Sequence, residues 1–146
     1  MDSLIVFLPI LLFFVFFPLL WCGVIFLVAQ IGGWAQLAQV YRFDRKFRGQ
    51  SWSMQSAAMR WGCSYNSVLT FGANDEGLYI VPLIFFRFAH PPLFIPWYDL
   101  SVMRINGIFW YAQLRFQRTP SIPVKINRRL FERLAGCAGE AWTEEG

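Results

Sequence analysis

Proton transfer, metal binding and nucleophilic attack each need a few side chains that can converge, and this chain of 146 residues supplies few of them. Its one histidine, His90, is followed by Pro91-Pro92, a loop signal. Standing alone, His90 suits packing better than general-base work. Cys22, Cys63 and Cys137 lie far apart and there is no second histidine, so no metal-ligand spacing exists. Glycine-rich phosphate loops are absent. Asp75 and Glu76 fall in an Ala-Asn-Asp-Glu-Gly stretch that turn chemistry explains. Asp99 suits pairing with a backbone N–H or an arginine, and Trp97 and Trp110 suit a core. No catalytic, cofactor-binding or metal-binding residue is assigned, and the chain is not expected to be an enzyme.

Charge reaches further than catalysis does. Between residues 42 and 136 there are 13 Lys and Arg against Asp44, Asp75, Glu76, Asp99 and Glu132, a net of +8. Eleven of the 13 are Arg, whose planar fork fits phosphate oxygens. Arg42, Arg45, Lys46 and Arg48 form the densest run and are the candidate contacts for anionic lipid. The same run serves equally as an orientation signal. Nucleic acid is the weaker fit for a basic surface held at a membrane.

The membrane assignment rests on the elements that must position this run. Residues 3–41 hold no formal charge, and residues 4–29 are apolar except for Pro9, Pro18 and Gly23. At about 1.5 Å per residue, 26 helical residues reach about 39 Å, more than a roughly 30 Å hydrocarbon core needs. A single transmembrane helix with a tilt, or a kink at Pro18, is expected. A cleaved signal would want a basic start, a shorter apolar run and a small-residue cleavage site, none of which is present. Trp21, preceding Cys22, speaks against lipidation there. Basic residues follow the span and none precedes it, which predicts an inner-membrane protein with its N-terminus outside and its C-terminal domain in the cytoplasm.

Gly32-Gly33 then breaks the helix. Trp34, Leu37, Ala38 and Tyr41 recur at i, i+3, i+4 and i+7, with Gln36 and Gln39 off that face. Trp34, Leu37 and Tyr41 are expected to anchor a short amphipathic helix along the interface, with a continuation of the membrane helix as the alternative. Residues 43–53 read as a linker.

From residue 54 onward short strands alternate with turns. Residues 78–86 form an apolar run too short to span as a helix and interrupted by Pro82. A buried or edge strand is expected, with a re-entrant hairpin through Pro91-Pro92 as the lesser reading. Asn106-Gly107 predicts a type I′ hairpin leading into a strand over 108–116. Ile122, Val124 and Ile126 alternate in a last strand, with Pro123 at an edge or bulge. Asn127 caps a helix bearing Leu130, Phe131 and Leu134 that closes at Gly136. The acidic tail, 137–146, reads as flexible.

This order, with Phe94-Ile95-Pro96-Trp97-Tyr98-Asp99-Leu100 following Gly77-Leu78-Tyr79-Ile80, resembles the bacterial pleckstrin-homology-like (PH-like) and GRAM domains. The resemblance implies an α+β, mainly β fold over residues 54–136: a small antiparallel sheet or barrel with one C-terminal helix. It also implies a binding module, whose partners are expected to be membrane lipids with anionic headgroups and a protein. The rivals are an accessory subunit or assembly factor of a larger membrane complex and, less favoured, an enzyme acting on lipids. No cofactor is expected.

Overall fold

The first helix, α1 (Asp2–Gly32), runs unbroken through Pro9 and Pro18 in the computed structural model, which describes residues 2–60, 63–105 and 107–145. Its side chains from Leu4 to Leu20 lie open on all sides, as a helix apolar all round requires when its surroundings are not protein. Among the described residues it is the one helix long and apolar enough to cross a membrane. It meets the rest of the chain only from Trp21 onward, chiefly through buried Ile25, Ala29 and Gly32.

Gly33 ends it. With φ at +101°, Gly33 adopts a left-handed conformation, and a Cβ there would come within 2.8 Å of Ile122. The helix that follows, α2 (Trp34–Tyr41), turns its apolar stripe inward. Trp34, Leu37 and Tyr41 are 1%, 1% and 2% exposed. These three were expected at the membrane interface; they belong to the core instead, because the domain offers a closer apolar surface than lipid does. Tyr41 packs edge-on against Phe116, and Trp34 against Tyr65 and His90.

The strands β1 (Gln50–Ala58), β2 (Ser64–Ala73), β3 (Gly77–Pro82) and β4 (Leu93–Pro96) form one antiparallel meander. A second is built from β5 (Leu100–Arg104), β6 (Ala112–Phe116) and β7 (Thr119–Ile126). The meanders join where β1 pairs with β7, Ala57 opposite Ile126 and Ala58 opposite Lys125. Helix α3 (Arg128–Ala138) buries Leu130, Phe131 and Leu134. A last strand, β8 (Thr143–Glu145), adds in parallel to β5. The result is an open, mixed eight-stranded sheet in the order β4-β3-β2-β1-β7-β6-β5-β8, not a purely antiparallel sheet or a closed barrel.

Several local expectations shift. β1 begins at Gln50, inside the expected linker, and its bulges fall beside left-handed Met54 (φ +56°). Between β4 and β5 a 3-10 turn, Trp97–Asp99, carries the chain from one meander to the other. Asn106 lies outside the described residues. Gly107 does not take the positive φ of a type I′ turn, and the strand begins only at Ala112, so a longer loop with exposed Ile108 and Phe109 replaces the tight hairpin. Pro123 lies past the last β1–β7 pair, next to a register shift against β6. Asn127 caps α3 by accepting the Leu130 N–H at 2.9 Å, but the helix runs through Gly136 and closes at Gly139, φ +57°. The tail is not frayed: Trp142 is buried, stacked on Phe131 and edge-on to Trp97.

Candidate functional site

The junction between α1 and the sheet concentrates the long-range polar contacts. The Trp21 indole N–H donates to the Phe85 carbonyl at 3.0 Å, and its ring lies 5.2 Å from Phe86. At the other end of the contact, the Arg60 guanidinium donates to the carbonyls of Ile31 (2.9 Å) and Gln30 (3.2 Å). A cation there satisfies carbonyls that have no partner within the helix and complements its dipole. Between the two lies a cleft of about 300 Å³ lined by Trp21, Ile25, Val28, Tyr65, Phe86 and His90.

His90 is the polar centre of this junction. Its Nδ1 lies 2.9 Å from the Phe88 carbonyl, which can only accept, so Nδ1 carries the proton. Nε2 is then the acceptor for the Tyr65 hydroxyl at 2.8 Å. Burial lowers the His90 pKa, opposed by the bond to Phe88, and burial likewise raises that of Tyr65. Both groups are thus held neutral, with each ring nitrogen of His90 engaged. The Trp34 indole donates to the Pro91 carbonyl at 3.0 Å. Together these bonds pin the β3–β4 connection to α2 and β2. That is positioning work, and it leaves His90 without a free nitrogen for a substrate.

A second polar cluster lies at the far end of α2. The Arg118 guanidinium donates to Asp99 at 2.8 Å and lies 5.0 Å from the centre of the Tyr41 ring; its backbone N–H donates to the Tyr41 hydroxyl. The Asp99 carboxylate raises the Arg118 pKa. Asp99 therefore pairs with an arginine, and the pair ties the 3-10 turn to the β6–β7 corner.

The basic run does not ring α1. The Phe43 N–H donates to the Pro92 carbonyl, and Phe43 packs on Phe94 and Tyr79. Phe47 stacks on Tyr79 at 4.5 Å, and the Asn74 amide donates to the Arg48 carbonyl. Residues 42–48 therefore form a strap across the outer face of the first meander, from the base of the β3–β4 connection to the turn before β3. Arg42, Arg45, Lys46 and Arg48 are all exposed, but strung along that path, and Arg42 is paired with Asp44 at 3.1 Å. The run thus forms a line leading away from α1.

Another basic surface went unread in the sequence. An open depression of about 700 Å³ between the ends of β1 and β7 is lined by Arg60, Lys125, Ser64, Ser121 and Trp110. Two cations, two hydroxyls and an indole suit a phosphate-bearing headgroup. Ser121 and Lys125 are outward alternates of β7, a signal the sequence held; Arg60 had none. Among the described residues no group of three or more His, Cys, Asp or Glu is placed to hold a metal ion. No protein-family model, curated protein or solved structure matches the chain.

Proposed function

We propose that this chain is a single-pass membrane protein whose β domain, held at the cytoplasmic face, is a non-catalytic PH-like binding module for anionic lipid headgroups. The observation that carries this reading is the junction: Ile25 and Ala29, at 5% and 0% exposure, belong to the domain's buried surface, while the side chains from Leu4 to Leu20 are open. A helix removed after targeting would take part of the core with it, so the junction favours a retained anchor over a signal sequence. Two meanders joined at β1–β7 and followed by α3 support the PH-like reading. The basic surplus and the Arg60/Lys125 depression favour a headgroup as ligand.

Purification in mild detergent tests it. Retained anionic phospholipid supports the module; a stoichiometric protein partner with no retained lipid supports the accessory-subunit rival. Orientation is tested separately with an impermeant thiol reagent in intact cells. A cysteine at Ser3 should be labelled and one at Ser121 protected; the reverse pattern overturns the cytoplasmic placement.

A further inference from the structure

The β3–β4 connection is the most apolar exposed surface outside α1. Leu83, Ile84, Phe85 and Phe88 are 38%, 69%, 76% and 52% exposed, a contiguous patch that a water-facing loop has no reason to keep. We propose that residues 83–88 are a second membrane contact, inserted into the same leaflet beside α1. This rests on the reading of α1 as a membrane anchor.

Depth is the first argument. Phe85 is bonded to Trp21, yet α1 continues to show apolar side chains on its open face at Val24, Phe26, Leu27 and Ile31. Ile31 lies ten residues further on, about 15 Å along the axis. A bilayer that covers those side chains covers the level of Phe85 as well. Length agrees. The stretch clear of the domain, residues 4–20, spans about 25 Å, less than the roughly 30 Å hydrocarbon core. The apolar slab must therefore reach past Trp21, and any tilt of the helix moves it further.

Backbone chemistry is the second argument, because lipid offers no partners for peptide groups. The carbonyls of Leu83, Ile84, Arg87 and Phe88 accept from Phe86 N–H, Arg87 N–H, His90 N–H and the His90 ring; that of Phe85 accepts from Trp21. The Leu83 N–H donates to Val68. A 3-10 turn, Ile84–Phe86, thus helps engage most carbonyls of the tip. Arg87, the one cation in the segment, is tied by Nε to the Pro82 carbonyl, with the rest of its guanidinium exposed to reach phosphate oxygens at the interface.

The full chain, with its three cysteines replaced by serine, takes a single cysteine at Val15, Ile84 or Asp75, each labelled with an environment-sensitive fluorophore and reconstituted in phosphatidylcholine–phosphatidylglycerol vesicles. Lipids carrying a quencher high on the acyl chain should dim the Val15 and Ile84 labels and spare the Asp75 label, and the Ile84 emission should shift to the blue. If Val15 is quenched and Ile84 behaves like Asp75, the insertion is overturned and the anchor stands. If Val15 also escapes quenching, the anchor itself fails, and the insertion with it.

Discussion

Residues 4–20 and residues 34–41 are both apolar helix, separated by little more than three turns, yet they end in opposite environments. The first stretch exposes every large side chain; the second buries Trp34, Leu37 and Tyr41 almost completely. The difference lies in the polar positions. α1 has no polar face along its free length, so no protein surface of this size can cover it. α2 carries Gln36 and Gln39 opposite its stripe, and such a helix fits the edge of a core as well as it fits a lipid interface. Periodicity alone does not separate those two destinations. The local density of other apolar partners does, and the sheet supplies it.

Breaking this contrast begins with Trp34→Ala, which should cost about 3–5 kcal/mol from the cavity alone, read as the denaturation midpoint of the full chain in detergent. Leu12→Ala, in the open part of α1, should cost less than about 0.5 kcal/mol. Equal effects would mean that α2 is not core. Next in size comes the joint between the two helices. Gly33→Ala forces a Cβ into Ile122 in a left-handed conformation, a loss of about 1–3 kcal/mol, whereas Gly23→Ala, with nothing within 4 Å of its Cβ, should be silent.

Acid should loosen the domain end of the contrast and leave the free helix alone. His90 has its pKa lowered by burial, so below its ordinary value of about 6.5 the unfolded chain binds the extra proton and the folded chain resists it. Stability is complete above that pH and declines as the pH falls through and below it. His90→Phe should flatten this part of the profile, and an unchanged slope would place the titration elsewhere. The smallest effect is expected from the strap. Surface charges act on a membrane within about one Debye length, about 8 Å at physiological salt, and Arg48 lies by Asn74, beyond the far end of β3 from residues 83–88. On the proposed lipid-binding reading, replacing Arg42, Arg45, Lys46 and Arg48 by Gln should reduce retained anionic lipid less than Lys125→Gln alone. The opposite ranking would make Arg42, Arg45, Lys46 and Arg48 the main lipid contacts.

Legibility followed how much each element decides for itself. α1 was plain because 39 successive residues lack charge. The alternation of Ile122, Val124 and Ile126 and the Asn127 cap are local signals, and the folded chain keeps both. β1 was missed because its sequence, Gln-Ser-Trp-Ser-Met-Gln-Ser-Ala-Ala, is half polar and buries only Ala57, and only pairing on both sides makes it a strand. β8 is a strand solely through β5. The fate of Trp34, Leu37 and Tyr41 depends on residues 65–124, which no local window contains. Of the junction, His90 was correctly read as a packing residue, but its bond to Tyr65 was hidden, since 25 residues separate the two. Arg60 gave no sign of where it would point.

The position of α2 also sets a timetable for biosynthesis. Its partners Phe116 and Ile122 are made about 80 residues after it, and at roughly 5–20 residues per second that delay is on the order of ten seconds. Within it, the Trp34 end of α2 gains Tyr65 and His90 to pack on, while the Tyr41 end still lacks its partner. The core therefore closes late, at its Tyr41 end after its Trp34 end. A nascent chain stalled before β6 would leave Tyr41 without Phe116 and Gly33 without Ile122.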